Sequence, residues 1–112
     1  MRLYLSGKIT GNENYKEDFA AGRAKLEAAD YDVCDPTAFG FPEDVQWEYA
    51  MTYVIREMLE CDGVALLPGW EDSRGARIEA RLARELGMPT EPLARWLRKL
   101  RLCPDRIPAP GI

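Results

Sequence analysis

Histidine is absent from the 112 residues of this chain. Its absence excludes catalytic triads that use histidine as the base, and it excludes most zinc sites. Any acid–base chemistry therefore falls to carboxylates, tyrosine, lysine or cysteine. The sequence predicts no metal site and no cofactor.

Cysteine and long apolar runs are also scarce. The three cysteines, Cys34, Cys61 and Cys103, are odd in number and far apart, which is typical of free thiols in a reducing compartment. No apolar run approaches the roughly 20 residues of a membrane-spanning helix. Because the given sequence leads straight into a strand-like segment, we expect no signal peptide. We therefore expect a cytoplasmic protein with no membrane contact.

The chain lacks an excess of positive charge: 19 acidic residues outnumber 15 basic ones, and the net charge is −4. This balance argues against sequence-independent binding to nucleic acid, which needs a basic surface. Hydrophobic residues make up 46% and charged residues 30%, which is ordinary for a soluble globular protein. The length predicts one domain, over residues 1–102, followed by a Pro-rich tail at 103–112.

Apolar periodicity predicts strands and helices that alternate along the chain. The predicted strands are 2–6, 31–34 and 63–68, with a poor fourth at 88–92, and the predicted helices are 12–30, 45–60, 74–86 and 93–102. This order indicates an α/β fold, a three-layer sandwich around a small parallel sheet of about four strands. Ligands bind beyond the carboxyl ends of such strands, where the loops 7–11, 36–42 and 68–73 are expected to meet.

The helix after the third strand has one anomaly on its apolar face. Asp72 or Ser73 can cap this helix, and Gly87 with Pro89 can end it. At about 100° per residue, Glu79 falls in the middle of the apolar face. That face is predicted to contain Gly75, Ala76, Ile78, Leu82, Ala83 and Leu86.

Glu79 is the candidate active-site residue. Its side chain leans toward the helix N-terminus, over Gly75 and Ala76, which are too small to fill the space above the carboxylate. The free N–H groups at that helix end suit an anion. The alternative is a structural glutamate paired with a buried arginine or a backbone N–H, because charged groups are seldom fully buried alone.

Two loops carry further candidates, each with an alternative interpretation. Gly7 and Gly11 follow the first strand, but their spacing is neither GxGxxG nor a P-loop, so the loop either lines a ligand crevice or is a plain turn. Trp70 either stacks on a planar ring of a ligand or forms a hydrophobic lid on the sheet.

Three segments carry a resemblance to a known family: LYLSGKITG, the helix from Trp47 toward Asp62, and CDGVALLPGWEDSRGARIEARLARELG. Over roughly residues 2–90 the chain resembles small uncharacterised bacterial and phage proteins related to nucleoside 2-deoxyribosyltransferases. Its first motif is similar to that of the 2'-deoxynucleoside 5'-phosphate N-hydrolases. The resemblance implies a flavodoxin-like fold, chemistry at an N-glycosidic bond, and a nucleoside or nucleoside 5'-monophosphate as partner.

The resemblance also implies roles for individual residues. Glu79 matches the family's nucleophile, Tyr4 the tyrosine that orients it, and Ser73 the serine that holds a 5'-phosphate. In the transferases an aspartate takes the place of that serine. The substrate-binding residues predicted from the loops, the helix start and the resemblance are Gly7, Gly11, Trp70, Asp72, Ser73, Gly75 and Ala76.

One position departs from the family pattern. Active relatives carry an aspartate that assists the leaving base, and the matching position here is Val54. Three functions therefore remain open: an N-glycosidic enzyme, a nucleotide-binding module that has lost turnover, or a structural or interaction protein. The apolar stripe of residues 45–59 exceeds what one small sheet needs, which predicts a homodimer or a higher homo-oligomer.

Overall fold

A computed structural model describes residues 1–102, with side chains described through residue 99. The predicted tail at 103–112, including Cys103, lies outside the described residues. Four strands form one parallel sheet in the order β2-β1-β3-β4. The strands are β1 (Arg2–Ser6), β2 (Asp32–Cys34), β3 (Gly63–Leu66) and β4 (Thr90–Pro92). The helices are α1 (Tyr15–Ala28), α2 (Trp47–Leu59), α3 (Arg74–Glu85) and α4 (Leu93–Leu102).

The sheet forms the middle layer of a three-layer sandwich, because its residues alternate between two buried clusters. On one face, Leu3 and Leu5 of β1 pack with α1 and α4. On the other, Tyr4 of β1 packs with α2 and α3. The predicted α/β, flavodoxin-like sandwich with a four-stranded parallel sheet is confirmed.

The carboxyl ends of the strands lie at one edge of the sheet, since all the strands are parallel. The three predicted loops after β1, β2 and β3 therefore meet there, as expected. From β1 the chain passes through α1 on one face, and from β3 it passes through α3 on the other. The strand order reverses between β1 and β3, which is the position where open α/β sheets hold ligands.

The fourth strand, which was predicted to be poor because of its two prolines, is short. β4 is an edge strand of three residues, and Pro89 accepts a hydrogen bond at its carbonyl from the Val64 N–H (2.8 Å). Proline lacks an N–H and is tolerated only where no ladder donor is needed, as at an edge. Within the described residues, no helix is long and apolar enough to cross a membrane.

The buried face of α3 differs from the predicted one. Ile78 and Leu86 are exposed (39% and 59%), although the helical period placed them on the apolar face. The buried residues are Ala76, Glu79 and Ala83, which belong to the predicted face, and Ala80, which does not. The three alanines allow α3 to lie close to the sheet. The helix is turned about its axis so that these small residues face the sheet, and Ile78 and Leu86 lie at the edge of the contact.

The ends of α3 match the sequence prediction. Ser73, rather than Asp72, caps the helix, because its Oγ accepts a hydrogen bond from the Ala76 N–H (3.1 Å). At the other end Gly87 adopts a left-handed φ of 77°, and the Met88 N–H donates to the Ala83 carbonyl (2.9 Å). Glycine favours this conformation and commonly ends helices in this way.

Candidate functional site

The site consists of one carboxylate from α3 and two hydroxyls from β1. Tyr4 and Ser6 are two residues apart on a strand, so both side chains face the α2–α3 layer. The Tyr4 hydroxyl donates to Glu79 Oε2 (2.9 Å), and the Ser6 hydroxyl donates to Glu79 Oε1 (2.7 Å). All three side chains are buried, with exposed fractions of 1%, 1% and 5%.

The partners of Glu79 differ from those of a buried ion pair. The structural alternative for Glu79 was a buried arginine or a backbone N–H, and the observed donors are two neutral hydroxyls. Neutral donors orient a carboxylate but do not neutralise its charge. The carboxylate is therefore held in place at a high electrostatic cost.

Burial raises the pKa of Glu79 from 4.5 to about 7, although the hydrogen bonds from Ser6 and Tyr4 lower it. Glu79 therefore titrates near neutral pH, in the range that suits groups in acid–base and nucleophilic catalysis. The Tyr4 hydroxyl has a pKa well above its usual value of 10.0, because of burial first and the Glu79 charge second. Tyr4 thus remains a protonated donor.

The N-terminus of α3 lies at the same edge of the sheet. Ser73 caps it, and the N–H groups of Arg74 and Gly75 have no partner four residues earlier within the helix. Asp72 is exposed at the end of the short 3₁₀ helix Trp70–Asp72. These N–H groups are the ones that the sequence analysis predicted to bind an anion, which stays a prediction.

The gap that the sequence predicted at Gly75 is occupied by side chains of α2. A Cβ built on Gly75 would lie 3.1 Å from the Met51 sulfur and 3.9 Å from Trp47 Cζ2. Ala76 is also buried, at 2% exposed. The small residues of α3 therefore serve the close approach of α2, a contact that the sequence of α3 alone does not reveal.

Two surface depressions lie elsewhere on the described residues. One, of about 540 Å³, lies beside Arg2 and the end of α2, and the other, of about 450 Å³, lies between the loop after β3 and the start of α4. Glu79 lines neither depression. The carboxylate is enclosed in this conformation of the chain.

The other predicted residues occupy supporting positions. Trp70 is half-buried against the cluster that contains Tyr4, with the Arg84 guanidinium 5.5 Å from the centre of its ring, which matches the lid interpretation. A Cβ on Gly7 would lie 2.9 Å from Leu67 Cδ1, so Gly7 permits the loops after β1 and β3 to touch. Gly11 is exposed with φ 80°, as in a turn.

Val54 and Ser6 complete the surroundings. Val54 is 6% exposed and belongs to the same buried cluster as Tyr4, Ala80 and Ala83. Ser6 was not among the predicted site residues. The period of two along β1 would have identified it, because any residue two positions from Tyr4 on a strand shares its face.

Comparison with known proteins gives a family and a fold. The family described as "Domain of unknown function (DUF4406)" matches residues 1–91. No curated protein matches the chain. One solved structure that it resembles is a 2-deoxyribosyltransferase from the psychrotolerant bacterium Bacillus psychrosaccharolyticus, with a TM-score of 0.58 and 20% sequence identity. The likeness covers 80% of this chain and 69% of that one, and at this identity it shows a shared fold.

The raised pKa of Glu79 predicts how the stability of the fold depends on pH. Because the folded-state pKa of about 7 exceeds the ordinary 4.5, the stabilisation is complete below pH 4.5 and is lost as pH rises to about 7. The loss is about 3 kcal/mol in the free energy of unfolding. In Glu79→Gln, which stays neutral, this loss should disappear in urea unfolding between pH 4 and pH 8.

Glu85→Gln is the matched control, since Glu85 is exposed on the same helix. It should follow the wild-type pH dependence. If Glu79→Gln follows it as well, the carboxylate is ionised in the folded protein without a burial penalty, and the raised pKa is wrong.

Proposed function

Since this chain belongs to the family described as "Domain of unknown function (DUF4406)", we propose a function from its own residues: it acts on the N-glycosidic bond of a nucleoside or nucleotide, with Glu79 as the nucleophile. One observation carries the proposal. A buried carboxylate, held by the Tyr4 and Ser6 hydroxyls, lies where the strand order reverses at the carboxyl edge of a parallel sheet.

The proposed reaction follows the retaining mechanism of glycosidases that use a carboxylate as the nucleophile. An oxygen of Glu79 attacks C1' of the sugar and the C1'–N bond to the base breaks, which leaves a glycosyl-enzyme intermediate. Water or a second base then attacks C1' and releases Glu79. With a pKa of about 7, a substantial fraction of Glu79 is ionised at neutral pH and able to attack. Tyr4 and Ser6 orient its two oxygens.

Catalytic turnover is the first test. A panel of nucleosides and 5'-monophosphates is incubated with the protein, and free base and sugar are measured by chromatography. Glu79→Gln should abolish base release, because the amide has no comparable nucleophilic oxygen. Val54→Asp should raise it by about 10²-fold or more, since a carboxyl at this position can protonate the leaving base. Base release that survives in Glu79→Gln would contradict the proposal.

Ile55→Asp is the matched control for Val54→Asp. It adds the same carboxyl one residue further along α2, outside the buried cluster that contains Val54. Its rate should equal that of the wild type. An equal rise in both variants would show that added charge on α2, rather than a proton donor at position 54, changes the rate.

The alternative is a nucleotide-binding module without turnover. Val54 favours it, because a buried valine can neither protonate nor hydrogen-bond a leaving base. This alternative would be supported if the wild type binds a nucleotide but releases no base, and if Val54→Asp does release base. A folded protein that binds no member of the panel would instead support a structural or interaction role for the domain.

The ligand class follows from the residue at position 73. The Ser73 hydroxyl and the free N–H groups of Arg74 and Gly75 can all donate to a phosphate at the start of α3. We expect 5'-monophosphates to bind about 10-fold or more tightly than the matching nucleosides in calorimetry. Ser73→Asp should remove this preference by placing a negative charge at the helix start.

Thr52→Asp adds the same charge at an exposed position of the neighbouring helix α2. It should keep the preference for monophosphates. Equal affinities of the wild-type protein for nucleosides and monophosphates would refute a phosphate site at Ser73.

A homodimer built on α2 is also part of the proposal. Tyr49 and Tyr53 lie four residues apart on this helix and are 62% and 39% exposed. The Tyr53 ring contacts Phe39 and Phe41, with ring centres 5.3 and 5.4 Å away. Together these four side chains form an aromatic patch on the surface, and patches of this kind mark interaction sites.

Light scattering at micromolar concentration should therefore show a dimer for the wild type. Tyr49→Glu, which places a charge on the patch, should shift the protein to monomer. Lys16→Glu on α1 introduces a charge away from the patch and should remain dimeric. A wild type that is monomeric under these conditions would contradict the dimer.

A further inference from the structure

Ser6 is the last residue of β1, is 1% exposed, and places its Oγ 2.7 Å from Glu79 Oε1. We propose that Ser6 is a positioning residue, whose hydroxyl favours the ionised form of the Glu79 carboxylate and fixes its orientation. The inference rests on the proposed function for its purpose, since a nucleophile needs both properties. Its physical content concerns only the carboxylate and can be tested without a substrate.

Orientation requires two donors. Tyr4 donates to Oε2 and Ser6 donates to Oε1, so each carboxylate oxygen has its own partner. A carboxylate held at one oxygen can rotate about that hydrogen bond, whereas contacts at both oxygens define the plane of the group. Each oxygen retains a second lone pair, which is free to attack a carbon. At 5% exposure, bulk water has little access to replace a lost donor.

Ionisation depends on the same two hydroxyls. The titratable groups packed in the surrounding cluster are Tyr4 on β1, Cys34 on β2 and Cys61 after α2. The buried residues that α2 and α3 contribute are apolar apart from Glu79 itself, namely Val54 and Met58 on α2 and Ala76, Ala80 and Ala83 on α3. Burial is opposed by the two hydrogen bonds, and the bond from Ser6 lowers the Glu79 pKa more than the bond from Tyr4 does.

The place of Ser6 in the fold suits this role. Its backbone carbonyl accepts a hydrogen bond from the Leu67 N–H (2.8 Å), and it is paired with Leu66 of β3. Both contacts attach the residue to the central strands of the sheet. The hydroxyl therefore projects from a rigid support and can impose its position on α3.

The direct test measures the Glu79 pKa by carbon-13 NMR of labelled glutamate side chains, with the resonance assigned by its absence in Glu79→Gln. Ser6→Ala should raise the pKa by about one to two pH units, because a hydrogen bond to a charged group is worth about 1.5–3 kcal/mol. Ser6→Thr retains the hydroxyl and should keep the pKa near that of the wild type. Ser6→Cys, close in size but a weak donor, should lie between the two.

Thr52→Ala is the control, since it removes a threonine hydroxyl that donates to the Glu48 carbonyl at an exposed position of α2. It should leave the Glu79 pKa unchanged. A purely structural Ser6 would alter stability in Ser6→Ala without moving this pKa. Wild-type pKa values in both folded Ser6→Ala and Ser6→Cys would overturn the inference.

Base release, measured in parallel, tests the proposed function separately. If the wild type is active, the acid limb of its rate profile should move upward in Ser6→Ala with the pKa seen by NMR, and kcat should fall with little change in KM. If the pKa moves as expected while no variant releases base, Ser6 holds the carboxylate and the N-glycosidic proposal is wrong.

Discussion

The site depends on the hydrogen bonds of two hydroxyls to one buried carboxylate. A charged group without a cationic partner is costly to bury, and here the contact between Glu79 and β1 provides only neutral donors. Each neighbouring element contributes to this contact. β1 places Tyr4 and Ser6 on one face, and the alanines of α3 bring the helix close enough for Glu79 to reach them. The result is a carboxylate whose pKa of about 7 lies near neutral pH.

The fold and the central residue of the site could be predicted from the sequence, because both leave a periodic signal. The alternation of strand-like and helix-like apolar periods along the chain predicted a three-layer sandwich around a parallel sheet. Glu79 was identified because a charge interrupts the apolar face of its helix. The exposure of Ile78 and Leu86 could not be predicted in this way, since the period of a helix defines a stripe but not which part of it meets the sheet.

The contacts between elements were the least predictable part. Gly75 and Ala76 suggested an open space, and Met51 of α2 fills it, because a distant helix decides whether a gap stays empty. Ser6 was overlooked although the strand period pointed to it. The fold shared with a 2-deoxyribosyltransferase at 20% identity does not assign an activity. Function must therefore be argued from Glu79, its two donors and the valine at position 54.

The packing of Met51 over Gly75 has a kinetic consequence. Met51 packs against Gly75, and Glu79 one turn later is 5% exposed, so a ligand reaches the carboxylate only if neighbouring side chains move or α2 separates from α3. The site then opens before the ligand contacts Glu79, which is the order of events in conformational selection. At high ligand concentration the observed rate of binding would reach a plateau equal to the rate of opening. The motion that exposes the carboxylate would thus set the upper limit on how fast any ligand reaches it.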